Sequence, residues 1–162
     1  MSCGWRERDR HHGHESGGGV LMALGLALPM AKPIQYALGS ELLTNGDFGV
    51  ATNWVLGASW AVASGVATVT NPAATSLLSQ AIGLTVGALY RVQYTVTSYT
   101  GGGLFVRFTN AGASVTTLSS ASATGTYTAY AVLIGTADSL SFVAPNSLAS
   151  YSIDNVSLKK VL

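Results

Sequence analysis

The chain has 162 residues, a formal net charge of +1 and only 9% charged side chains against 48% hydrophobic ones. That length holds one hydrophobic core plus a tail. No basic run exceeds Lys159-Lys160, which argues against nucleic acid, and the lone Cys3 excludes an intrachain disulfide and a cysteine-type zinc site within a domain.

Residues 1–40 read as an extended N-terminal tail. A leader of mixed charge carries His11, His12 and His14 before three glycines. It is either an unstructured polar segment or a transition-metal binder whose spacing fixes no geometry. The apolar stretch from Val20 to Ala31 is too short to span a bilayer as a helix, so no membrane span is expected. Three readings of it stand side by side. It is a signal-like segment ending near Ala31, or translation starts at Met22 or Met30, or the tail is retained and docks on a partner subunit.

From Glu41 onward the sequence is uniformly of β type. Leu42 to Phe48 reads as a short strand entering an Asn-Gly turn. Ala58 to Ala63 and Gly65 to Thr70 pair about Ser64-Gly65, and Ser76 to Ile82 forms the next strand. Leu89 to Thr97 alternates most clearly, with Tyr90, Val92, Tyr94 and Val96 on one face and Arg91, Gln93, Thr95 and Thr97 on the other. Ser98 to Gly103 reads as a Gly-rich loop. Leu104, Val106 and Phe108 then alternate with Phe105, Arg107 and Thr109. Ser114 to Leu118, Thr126 to Ile134 and Ser139 to Val143 follow. In the closing strand, Ser150 to Leu158, the apolar parity shifts between Ile153 and Val156, which requires a β-bulge at Asp154-Asn155. Short strands at this spacing predict an all-β fold over residues 41–162: an antiparallel β-sandwich of jelly-roll type, with first and last strands as neighbours.

An ordered set of segments resembles carbohydrate-binding-module jelly rolls of the family 4/9/22 type. It comprises Leu42-Leu43-Thr44-Asn45-Gly46-Asp47-Phe48, Asn53-Trp54, Ser76 to Gln80, Leu84 to Tyr90, Gly125-Thr126-Tyr127 and Ile153 to Leu158. Similar domains occur in bacteriophage virion proteins, including tail fibres and head decorations. The resemblance implies a structural calcium shared by the N-terminal turn and the closing strand, with Asp154 as a ligand and Asn45 or Asp47 as partners. Oxygen ligands of this kind suit calcium. The other reading is that Asp47 caps a turn and Asp154 bonds across the bulge.

The predicted domain contains no His and no Cys, so a Ser-His-Asp triad is unavailable and no enzyme is expected. By strand parity Arg91, Gln93, Phe105 and Arg107 point outward. If their strands pair, they form one ligand-binding patch bordered by Tyr99. Contact with a glycan and contact with another protein are both open for it. Trp54 and Trp60 are further aromatic candidates, Trp54 also matching a core position. Two functions follow. One is a non-catalytic virion protein of a bacteriophage, a capsid decoration or tail-fibre component. It would contact other virion subunits through residues 1–40, assemble as an oligomer and meet surface glycans. The other is a secreted carbohydrate-binding module.

Overall fold

The computed structural model describes residues 35–146 and 148–162; the His cluster and the apolar segment of the predicted tail lie outside them. Every regular element among the described residues is a strand: β1 Leu38–Glu41, β2 Val55–Leu56, β3 Trp60–Ala63, β4 Val66–Thr70, β5 Ser76–Ala81, β6 Leu89–Gly101, β7 Leu104–Asn110, β8 Ala113–Ala121, β9 Gly125–Val132, β10 Ser139–Ala144 and β11 Ser150–Val161. They form an all-β antiparallel sandwich of jelly-roll type. The first sheet runs β3-β4-β11-β6-β9, with β1 added beside β11, and the second runs β2-β5-β10-β7-β8.

Period-two alternation produces the core. Tyr90, Val92, Tyr94 and Val96 of β6 are buried, as are Leu104, Val106 and Phe108 of β7 and Leu140 and Phe142 of β10. These inner faces meet edge to face: Tyr94 lies 5.4 Å from Phe142, and Tyr90 lies 5.3 Å from Phe108. Such pairs add about 0.5–1.5 kcal/mol beyond area burial. Trp54 is a core residue, packed 5.2 Å from Phe48 and donating its indole N–H to the Asn45 carbonyl at 2.9 Å. Trp60 is buried as well, edge-on to Tyr151 at 5.8 Å, so neither tryptophan is a surface platform.

The last strand organises the first sheet. Asp154 pairs with Thr95 and Ser157 with Gln93, so three steps on β11 match two on β6. The extra residue is the predicted bulge, and Asn155 takes a φ of +53° there, a left-handed conformation that Asn tolerates. Tyr151 and Ile153 before it and Val156 and Leu158 after it are all buried as a result. Before the bulge β11 pairs with β4, and after it with β1. The first strand is Leu38–Glu41 rather than the segment beginning at Leu42. Beyond it the chain turns past β11 so closely that a Cβ on Gly46 would stand 2.0 Å from the Val156 carbonyl oxygen. Only glycine allows that approach, which is sealed by the Val156 N–H donating to the Gly46 carbonyl at 2.8 Å.

The predicted loop from Ser98 is also different. β6 continues to Gly101, and the turn is confined to Gly102-Gly103. Gly102 has a φ of +77°, and a Cβ there would meet the Ala149 Cα at 2.3 Å. This tight connection does not close a hairpin. It carries the chain from the first sheet to the second, because β6 and β7 belong to different sheets.

Candidate functional site

That crossing divides the predicted patch. Arg91 and Gln93 face outward from the first sheet, and Phe105 and Arg107 face outward from the second, so the four do not form one surface. Each pair is nonetheless an arrangement of its own.

On the second sheet the central strand is β10. Its inward residues are Leu140, Phe142 and Ala144, so Ser141 and Val143 point outward; yet Ser141 is 0% and Val143 4% exposed. Small residues here lie at the floor between longer neighbours. One cross-strand row reads Leu77, Val143, Phe105, Ser120, and the next reads Ser79, Ser141, Arg107, Thr117. The guanidinium carbon of Arg107 sits 4.8 Å from the centroid of the Phe105 ring. This is cation–π distance, worth about 0.5–2 kcal/mol according to desolvation. The contact places a cation over an aromatic face beside a row of hydroxyls. The Arg107 Nε is buried and finds no hydrogen-bond partner among the described residues. Beneath, Thr109 and Ser141 bond hydroxyl to hydroxyl at 2.7 Å.

On the first sheet, Arg91 donates from Nη2 to the Gln93 Oε1 at 2.6 Å, and its Nε likewise lacks a partner among the described residues. Two aromatic residues absent from the predicted patch belong to this face. Tyr130 of β9 stands directly opposite Arg91, and Tyr36 packs against it with ring centroids 5.3 Å apart. The alternation of Thr126, Thr128, Tyr130 and Val132 outward with Tyr127, Ala129 and Ala131 inward carries the signal for Tyr130. The small inward alanines mask it.

Tyr99 does not border either patch. An extra residue at Thr97 reverses the parity of β6: Val96 pairs with Ile153 but Ser98 with Ser152, two steps against one. Tyr99 is thereby turned inward and stacks on Tyr151, and its hydroxyl donates to the Gly102 carbonyl. Burial pushes the Tyr151 phenol well above the ordinary tyrosine range. Burial also raises Tyr94, against the opposing hydrogen bond with Ser119 at 3.1 Å.

The residues suggested for calcium are each engaged locally. The Asn45 amide nitrogen donates to the Val50 and Thr52 carbonyls, while its Oδ1 accepts from the Val50 N–H at 3.4 Å. Asp47 Oδ1 accepts from the Gly49 N–H at 3.3 Å, an Asx-type turn. Asp154 accepts from the Asn155 N–H at 2.6 Å and from its amide group at 3.0 Å. Asn45 Oδ1 and both Asp47 carboxylate oxygens lie 3.7–3.9 Å from the point where a Cβ on Gly49 would stand, and among the described residues no group of three or more His, Cys, Asp or Glu side chains is placed to hold a metal ion. Glu41 instead joins the first and last strands. Glu41 Oε1 accepts from the Leu158 N–H at 2.7 Å and from the Leu42 and Leu43 N–H groups at 3.2 Å, and Oε2 accepts from the Ser157 hydroxyl at 2.6 Å. The remaining acid, Asp138, is held below the usual carboxylate range by the Ala111 N–H and then by the Ser139 hydroxyl.

No protein-family model and no curated protein matches the sequence. Solved structures do match the fold. One is a CBM4 module at 19% identity and a TM-score of 0.55, covering 72% of this chain and 98% of that one. A mutant of CBM29-2, a family 29 carbohydrate binding module, matches at 16% identity and a TM-score of 0.52, covering 78% of this chain and 87% of that one. The enzymatically active domain of tailspike protein 4 of bacteriophage CBA120 matches at 15% identity and a TM-score of 0.51, covering 75% of this chain but 21% of that one. The fold of this chain is similar to the jelly roll of carbohydrate-binding modules.

Proposed function

We propose that residues 35–162 form a non-catalytic glycan-binding domain whose ligand face is the outer side of the second sheet. The observation that carries this reading is the Arg107 guanidinium fixed over the Phe105 ring, beside the hydroxyls of Ser79, Thr117 and Ser120. A flat stacked surface flanked by hydroxyls suits a sugar ring, which presents an apolar face and a polar rim. The likeness to carbohydrate-binding modules supports it, and mutants of CBM29-2 have been solved complexed with mannohexaose and with cellulohexaose. Isothermal titration with those two hexaoses tests it. Binding that is lost in Phe105→Ala supports the assignment; no binding of either sugar, or binding indifferent to Phe105→Ala and Arg107→Ala, refutes it.

A second reading concerns location: the domain serves as an accessory virion protein of a bacteriophage, with residues 1–40 as its anchor to other subunits. The likeness to a bacteriophage tailspike supports it, and the likeness to carbohydrate-binding modules supports a secreted module instead. Electron microscopy of purified particles decides between them, since symmetric copies on a capsid or tail are required by the first and absent under the second.

A further inference from the structure

The outer face of the first sheet has a chemistry that the hexaose-binding face lacks. One cross-strand row reads Tyr130, Arg91, Lys159, Glu41. The next reads Thr128, Gln93, Ser157, and the one beyond it Thr126, Thr95, Asp154. Arg91 and Lys159 are therefore like charges placed directly opposite each other on paired strands, an arrangement that destabilises a sheet unless an anion sits between or above them. Residues 35–162 contain only four basic side chains, Arg91, Arg107, Lys159 and Lys160, and four acids. Two of the four cations thus share a single row.

Both neighbouring carboxylates, Glu41 opposite Lys159 and Asp154 two rows along, are engaged by other groups. Both oxygens of Glu41 are held by Leu158, Ser157, Leu42 and Leu43, and both oxygens of Asp154 are held by Asn155. Gln93 orients the Arg91 guanidinium through its Oε1. Alongside stand two tyrosines in mutual contact, Tyr36 47% exposed and Tyr130 45% exposed. Half-exposed large aromatic rings next to oriented cations are the makings of a ligand face rather than a solvated one.

We propose that this face binds a carboxylated sugar chain, such as a polymer of uronic acid, independently of the Phe105 face. The carboxylate meets Arg91 and Lys159, where a planar guanidinium and an ammonium form charge-assisted hydrogen bonds. The apolar side of an adjoining sugar lies on Tyr130 and Tyr36, and Gln93, Thr128 and Ser157 serve its hydroxyls. A nucleic acid is a poorer match, because its density of phosphates calls for several cations along one track and the adjoining rows contribute only polar groups and Asp154.

The test is affinity electrophoresis of the full chain in native gels containing polygalacturonate or alginate, with single-stranded DNA as a competing anion. Retardation by at least one acidic polysaccharide is expected, weakened about tenfold in Lys159→Gln and in Tyr130→Ala, restored in Lys159→Arg, and unchanged in Phe105→Ala. Lys159 is part-buried and Tyr130 half-exposed, and unaltered melting curves confirm that both variants fold. The proposal is overturned by absence of retardation, by retardation indifferent to both variants, by its loss in Phe105→Ala, or by equal binding of DNA. Hexaose titration reads the second sheet separately, so failure at one face leaves the other standing.

Discussion

The two outer faces of the sandwich are built from the same strand grammar and end with different chemistry. On the second sheet the cation is consumed by its own neighbour: Arg107 covers Phe105 and leaves a flat, stacked surface over a buried floor of Ser141 and Val143. On the first sheet the cations stand beside one another with tyrosines at their flank, and Glu41, opposite Lys159, is engaged by Leu158 and Ser157. A sheet thus sets its outward chemistry by which residues share a row. An Arg one row from an aromatic residue lies over its ring, and an Arg across from a Lys sets two cations side by side.

The largest perturbation removes what both faces share. Phe142 touches Trp54 from one side and Tyr94 from the other. Phe142→Ala is expected to cost about 3–5 kcal/mol in denaturant unfolding and to abolish both binding activities together. Loss of only one activity in a folded variant would show that the faces do not depend on a common core.

Next comes the separation itself. Phe105→Ala is expected to weaken hexaose binding by about tenfold or more, equivalent to about 1.4 kcal/mol, with Arg91→Gln leaving it unchanged. The reverse pattern by calorimetry would exchange the roles of the faces.

Glu41→Ala leaves the Leu158 N–H without its carboxylate and is expected to cost about 1–2 kcal/mol in thermal or denaturant unfolding. Its effect falls on the first-sheet face, where Lys159 adjoins it, so hexaose binding below the melting temperature stays intact.

Alkaline pH gives a smaller, graded effect. Tyr94 and Tyr151 titrate higher folded than unfolded because burial disfavours the phenolate. Their contribution is present below the ordinary tyrosine pKa of about 10 and is lost as pH rises above it toward the folded value. Melting temperature should fall above about pH 10, and Tyr151→Phe should flatten that fall.

The smallest expected effect is that of chelation. With Asn45, Asp47 and Asp154 engaged by their own neighbours, EDTA should leave melting temperature unchanged; a fall, restored by calcium, would assign an ion to that corner.

Much of the fold was legible in the sequence because burial writes a period of two. The Tyr90-to-Val96 alternation and the change of parity around Asp154-Asn155 each state a local geometric fact. What escaped was non-local. β2 is only Val55–Leu56 and is too short to show a period. The Gly102-Gly103 turn looks like a hairpin connection, since sequential strands usually pair, and only its crossing between sheets separates Arg91 from Arg107. Tyr99 sits in what reads as a Gly-rich loop, whereas the strand continues through it and a register slip at Thr97 turns it inward. Tyr130 and Lys159 lie far apart in sequence from Arg91, and nothing short of strand order sets them beside it. Of the candidate surface, the individual outward residues were readable and their company was not.

The pairing of β1 with β11 has a mechanical consequence. Leu38 lies opposite Val161, and the Leu162 N–H reaches the Ala37 carbonyl at 2.9 Å, so residues 37 and 162 lie side by side at one end of the pair. Tension applied between those points peels the two strands like a zip, loading the Ala37–Leu162 bond first and the others in turn. The Glu41 carboxylate, gripping Leu158 and Ser157 just inside that seam, is the first strong stop the tear would meet.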